Sequence, residues 1–168
     1  MKTNFGKGLL AFSEGDYKQA FSFFEKAHRE NIPSDKHLTL YNTGLSLIFL
    51  GDLVLAEDYF LKALRTFPDH ADTLHWIAYI NFRKGQLSIA EDHYLSSLKS
   101  HPRSHTSING CIHFFIEQGL NGEEINSFLN KNGVQLKENE NFYLKLADSV
   151  HVSIDSNISF SLIGIDPR

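Results

Sequence analysis

The chain has 168 residues, of which 42% are apolar and 21% charged, and its formal net charge is −4. This length fits one domain or one short repeat array with a continuous apolar core. Acidic and basic residues are mixed along the chain, so it lacks the basic face that nucleic acid binding requires. The single cysteine, Cys111, excludes an intrachain disulfide framework.

The first seven residues, MKTNFGK, lack the apolar core of a secretory signal. The longest apolar run, from Leu45 to Leu50, is too short to span a bilayer. We therefore expect a cytoplasmic protein without membrane insertion.

An internal period dominates the rest of the sequence, because Gly51, Gly85 and Gly119 are spaced 34 residues apart. A shared pattern surrounds the first two glycines: Gly51, Asp52, Ala56, Phe60, Ala63, Pro68, and then Gly85, Gln86, Ala90, Tyr94, Ser97, Pro102. An earlier copy reads Gly15, Asp16, Ala20, Phe24, Ala27, with Pro33 one place late. Such a period predicts a helical repeat array.

Each element of this pattern has a physical reason. The glycine ends one helix in the left-handed conformation, and Asp16 or Asp52 can cap the next helix. The small alanine allows two helices to approach closely, and the aromatic residue four places later fills the space on the same face. The prolines end the second helix of each pair.

The pattern resembles the tetratricopeptide-repeat family, whose first helix also carries a small residue, here Gly8, Gly44 and Ala78. The resemblance implies an all-α, right-handed superhelical solenoid of three repeats, at residues 1–36, 37–70 and 71–104. A partial repeat at 105–132 completes a solenoid over residues 1–132. The family's tryptophan near the start of each repeat is replaced by Asn4, Leu40 and Leu74.

The fourth unit keeps helical spacing from Ser104 to Glu117, and its second helix spans about Gly122 to Lys131. Glu124 replaces the small residue there, while Phe128 keeps the aromatic position, so we predict a degenerate capping repeat. Residues 133–168 are expected to hold a capping helix around Asn139 to Val150, followed by a short extended tail. Val152, Ile154, Ile158, Phe160 and Leu162 alternate there at the strand period.

The resemblance further implies a concave groove lined by the first helix of each repeat. Its predicted partner-binding residues are Phe5, Leu9, Phe12, Tyr41, Asn42, Leu45, Phe49, His75, Tyr79, Phe82 and Arg83. Aromatic side chains of this kind supply large contact areas for a peptide. Some of them are also candidates for plain core residues between repeats.

The family's best-known use is to hold the C-terminal carboxylate of a cytosolic chaperone with several Lys, Arg and Asn side chains. Asn42 matches one such position, but the others hold Phe5, Leu9, Asp72 and Trp76, so we expect no clamp of this type.

Nine histidines raise the question of a metal site. Pro102 separates His101 from His105, and Cys111 falls on the inward face of its helix, so we expect surface histidines and a buried, inert thiol. No catalytic motif stands out, and neither an enzyme nor a bound cofactor or metal is predicted.

The sequence therefore predicts a protein–protein interaction module, such as an adaptor, scaffold or assembly factor, that binds an unidentified protein or peptide. Two alternatives stay open: a chaperone of the bacterial secretion type, and a structural subunit that forms homo-oligomers through residues 151–168.

Overall fold

A computed structural model describes residues 3–30, 36–136 and 144–145. Eight helices are present in this part of the chain: α1 (Asn4–Ser13), α2 (Tyr17–Glu30), α3 (Lys36–Leu50), α4 (Leu53–Thr66), α5 (Ala71–Arg83), α6 (Leu87–Ser100), α7 (His105–Glu117) and α8 (Gly122–Lys131). Among the described residues, none of the helices has both the length and the apolar character needed to cross a membrane. The division between two compact units falls within α5: unit 1 runs up to Thr73 and unit 2 begins at Leu74.

The turns between paired helices follow the sequence prediction. Gly15, Gly51, Gly85 and Gly119 all have φ between +74° and +84°, a conformation that costs glycine little. In unit 1, Asp16 accepts a hydrogen bond from the Gln19 amide, and Asp52 accepts one from the Leu55 amide. The predicted aspartate caps of α2 and α4 are thus confirmed.

The repeated alanine and aromatic positions form the core of unit 1. Ala20 and Phe24 on α2, and Ala56 and Phe60 on α4, are fully buried. Consecutive helices α1, α2, α3 and α4 pack against one another around these side chains. The spacing of four residues places each aromatic ring on the same face as its alanine, and the ring fills the gap that the small residue leaves.

Gly8 and Gly44 lie where the phenyl rings press closest to the facing helix. A Cβ atom on Gly8 would stand 2.6 Å from Phe24 Cε1, and one on Gly44 would stand 2.8 Å from Phe60 Cε1. Because such distances are well below van der Waals contact, the ring packs directly on the helix backbone.

Unit 2 has its own apolar cluster, to which α5, α6, α7 and α8 contribute. Ala90, Leu98, Ile108, Cys111 and Ile125 are among its fully buried members. The Ser97 and Ser107 hydroxyls lie 2.6 Å apart inside this unit, so one donates a hydrogen bond to the other. Cys111 and Ile108 face inward, as predicted.

The last helix, α8, buries a different face from the one that the repeat pattern predicts. The core positions are Ile125 and Leu129, one residue after the positions that hold Glu124 and Phe128. A shift of one residue rotates a helix face by about 100°, which leaves the Glu124 carboxylate exposed. That carboxylate accepts a hydrogen bond from the Asn121 amide, and the Asn121 side chain accepts one from the Glu124 amide, which forms a capping box.

Several predictions concern residues outside the described part of the chain. Of the predicted helix at 139–150, Leu144 and Lys145 are described; both are helical, and Leu144 is buried in the core cluster of unit 2. The predicted tail at 151–168, its extended structure and its role in homo-oligomers lie outside the described residues and stay predictions.

Candidate functional site

An aromatic group joins α1, the start of α2 and the end of α3 in unit 1. The Tyr17 and Phe49 rings stack with centroids 4.5 Å apart, and Phe12 meets both edge-on at 5.2 Å and 5.4 Å. All three side chains are half-buried. The contacts stabilise the packing of these helices and leave part of each ring at the surface. Phe12 and Phe49 were predicted as groove residues, whereas Tyr17 was not.

Aliphatic side chains of α1 and α3 belong to the same predicted set. Leu9 is 44% exposed, and Leu45 is half-buried. Phe5 packs against the buried Phe24 ring at a centroid distance of 5.7 Å and is itself half-buried. Leu9 is thus the predicted α1 residue with the largest exposed fraction. We refer to Leu9, Phe12, Tyr41, Leu45 and Phe49 as the α1/α3 set.

Tyr41 belongs to a second ring group at the other end of α3. Its ring lies 5.0 Å from His70, and His70 lies 5.7 Å from His37 and 5.9 Å from Phe67. Tyr41 also packs against the buried Phe60 at 5.9 Å. Sequence reasoning did not assign His37, Phe67 or His70, since their meeting depends on how the α4–α5 turn folds back on α3.

The environment of His70 favours its neutral form. Burial lowers the pKa of His70, and the nearby His37 lowers it further, while Asp72 raises it. Nδ1 of His70 lies 2.6 Å from the Thr73 hydroxyl, so the ring is held at the start of α5. These contacts fix Tyr41 from one side.

Asn42, the predicted polar handle of this surface, is engaged by its own helix. Its Nδ2 donates to the Leu38 carbonyl at 2.7 Å. A side chain that bonds within its own helix is partly satisfied before any partner arrives. In this conformation Asn42 therefore offers less to a ligand than its residue type indicates.

In unit 2 the predicted residues of α5 differ strongly from one another. Tyr79 is half-buried and meets Trp76 edge-on at 5.7 Å, and burial raises the pKa of Tyr79. Phe82 packs edge-on against Phe114 at 5.4 Å, and Arg83 is exposed. His75, also predicted as a groove residue, is only 5% exposed.

His75 lies inside unit 2 because α7 carries a glycine at the point of contact. A Cβ atom on Gly110 would stand 2.1 Å from His75 Cε1 and 2.5 Å from its Nδ1. The imidazole also meets Tyr94 and Trp76 edge-on, at 5.6 Å and 5.2 Å. The ring therefore packs between helices, and His75 has little surface open to a partner.

No metal site or catalytic site is assembled among residues 3–30, 36–136 and 144–145. No group of three or more His, Cys, Asp or Glu side chains in these ranges is placed to hold a metal ion. Burial raises the pKa of the Cys111 thiol, with a smaller contribution from Glu91, so the thiolate needed for nucleophilic chemistry is disfavoured. His113 lies 3.6 Å from Glu117 on the same helix, a surface pair.

The helices and their contacts define a protein built from helical repeats. The model of the tetratricopeptide-repeat family matches residues 2–29. The fold is similar to that of the first tetratricopeptide-repeat domain of Spaghetti (RPAP3), solved with the HSP90 peptide SRMEEVD. That likeness has a TM-score of 0.60 at 17% identity, and it covers 70% of this chain and 91% of the other.

The chain thus resembles tetratricopeptide-repeat proteins, as its repeat pattern predicted. Proteins with these repeats generally serve as interaction modules for other proteins. The predicted all-α repeat fold is confirmed.

Proposed function

We propose that this chain works as an adaptor, scaffold or assembly factor that holds an apolar, uncharged segment of a partner protein on its α1/α3 set. The observation that carries the proposal is chemical. Leu9, Phe12, Tyr41, Leu45 and Phe49 are all partly open, and none of them is charged. Aromatic and aliphatic side chains that retain open surface gain free energy when a partner covers them.

The ring contacts of unit 1 support this proposal through preorganisation. Tyr17 holds Phe49 by stacking, and His70 holds Tyr41 edge-on. Rings fixed before binding lose little conformational freedom when a ligand arrives, so more of the contact energy contributes to affinity. Catalysis has no part in this proposal.

The partner segment is expected to differ from the acidic peptide SRMEEVD of the RPAP3 structure. An acidic peptide needs Lys or Arg donors, whereas the family's clamp positions in unit 1 hold Phe5 and Leu9. Burying carboxylates against these side chains without a cation would cost several kcal/mol. We therefore propose an apolar ligand in preference to an acidic tail.

A selected peptide tests the proposal on the full chain. A random peptide library displayed on phage is panned on the protein, and one enriched peptide is synthesised with a fluorescent label. Its affinity is measured by anisotropy for the wild type, Leu9→Asp and Val54→Asp. Val54 on α4 is 75% exposed and lies outside the α1/α3 set, which makes it a matched control.

We expect an apolar peptide whose affinity falls at least about tenfold with Leu9→Asp, since a carboxylate would be desolvated in the complex. Val54→Asp should bind as the wild type does, and a labelled SRMEEVD peptide should bind more weakly than the selected one. Equal affinity of the wild type and Leu9→Asp for the selected peptide would contradict the assignment of the surface. Circular dichroism confirms that both variants fold.

A further inference from the structure

The contact between His75 and Gly110 joins α5 to α7 inside unit 2. The imidazole lies so close to the Gly110 Cα that no side chain fits between them. Tyr94 on α6 and Trp76 on α5 border the same ring. A titratable side chain is thus enclosed by three helices at a place where bulky apolar residues would be usual.

This enclosure leaves hydrogen-bonding capacity unused. Nδ1 of His75 is buried without a hydrogen-bond partner, and so is Oδ1 of Asn109, the residue before Gly110. A buried polar atom without a partner costs about 1–3 kcal/mol compared with the same atom in water. The contact of α5 with α7 is therefore less stable than its close packing alone indicates.

The surroundings of His75 do not stabilise a positive charge on its imidazole. Burial alone lowers the pKa of His75 from 6.5 to about 4, and no carboxylate contributes. Of the neighbouring titratable groups, Tyr94 on α6 contacts the ring, Tyr79 lies one turn further along α5, and Cys111 follows Gly110 on α7. Burial raises the pKa of all three, so they are neutral between pH 4 and 8 and cannot pair with an imidazolium.

We propose that the His75–Gly110 contact is an acid-sensitive latch: a protonated His75 leaves its place against Gly110, and α7 then separates from α5. The neutral ring fits the enclosed site, whereas the charged ring requires water on both nitrogens. The two helices are therefore held together at neutral pH and released more often as the pH falls. The latch goes beyond the proposed function and does not depend on it, since it operates within unit 2 without a ligand.

The expected size of the effect follows from the two protonation states. If the imidazole titrates at 6.5 when released and at about 4 when enclosed, the released form gains about thirtyfold in population between pH 7.5 and pH 5.0. Nearly all of this gain arises below pH 6.5.

Hydrogen exchange measured by mass spectrometry on the full chain tests the latch. Amide exchange in α7 is compared at pH 7.5 and pH 5.0, with correction for the intrinsic exchange rates, in the wild type, His75→Gln and His105→Gln. Glutamine does not titrate, so His75→Gln should lose the increase. His105 is exposed at the start of α7, so its substitution should leave the roughly thirtyfold increase intact.

The latch is refuted if α7 in the wild type shows no increase in opening at pH 5.0, or if His75→Gln retains the full increase. Gly110→Ala supplies a second test should His75→Gln not fold. Its methyl group would occupy the place of His75 Cε1, so α7 should open more often already at pH 7.5. Exchange in α7 of Gly110→Ala equal to the wild type at both pH values would likewise overturn the proposal.

Discussion

Gly6 and Gly8 lie on the same helix, α1, but their surroundings differ sharply. A Cβ atom on Gly6 would meet only the Thr3 hydroxyl, at an ordinary 3.4 Å. On Gly8 it would stand 2.6, 2.7 and 3.0 Å from three atoms of the Phe24 ring. Phe24 is fully buried, and Phe5 packs against it, so the ring has little room to withdraw. Alanine at these two positions therefore tests the packing of the first repeat.

The expected change in the free energy of unfolding is the sum of two opposing effects. Alanine in place of glycine stabilises a helix by about 0.5–1 kcal/mol, and this gain applies at both positions. At Gly8 the phenyl ring must also move by several tenths of an ångström, and overpacking of this kind costs about 1–3 kcal/mol. We expect Gly6→Ala to raise the free energy of unfolding. The free energy of unfolding of Gly8→Ala should be about 1–3 kcal/mol lower than that of Gly6→Ala.

Thermal and urea unfolding of the two variants, followed by circular dichroism, measures the difference. For a chain of this size each kcal/mol corresponds to about 2–4 °C in Tm. A third variant, Gly8→Ala with Phe24→Leu, should recover part of the loss from the clash, because leucine is narrower than a phenyl ring. If Gly8→Ala were stabilised as much as Gly6→Ala, the close approach of Phe24 to α1 would be refuted.

Two further predictions concern unit 2. Replacing the capping residue, Asn121→Ala, should lower the free energy of unfolding by about 1 kcal/mol because the Glu124 amide loses its acceptor. Ser127→Ala, at an exposed position of the same helix, should change it by less than about 0.5 kcal/mol in the same urea titration. Cys111, buried and with a raised pKa, should react with Ellman's reagent only after denaturation; rapid labelling of the native protein would show that the core of unit 2 opens readily.

Most of the secondary structure could be predicted from local sequence. Gly51 and Gly85 mark turns because their positive φ is cheap for glycine alone, and Asp52 caps α4 through its own side chain. The helix predicted from Ser104 to Glu117 is observed as His105–Glu117, with Ser104 as its cap. These features depend on residues within a few positions of one another, so the sequence contains them directly.

The register of α8 could not be predicted in the same way. Its sequence offers an aromatic at Phe128, the repeat's usual core position, and apolar residues at Ile125 and Leu129. Packing selects the latter pair as core, while Phe128 stays half-buried against Phe115 at 4.6 Å. Which face of a short helix is buried is decided by the surface it meets, and that surface comes from α7.

The candidate binding residues likewise include features that local sequence predicts and features that depend on tertiary packing. The sequence by itself predicted aromatic and aliphatic side chains at equivalent positions of α1, α3 and α5, since the 34-residue period aligns these helices. Only the tertiary structure decided that His75 is enclosed and that His70 and Phe67 support Tyr41. The enclosure of His75 depends on Gly110, which is 35 residues away in the chain and in contact with it in space. A periodic pattern predicts which face of a helix carries a side chain. The exposure of that side chain depends on the size of the residue that packs against it from another helix, and only the tertiary structure shows which residue that is.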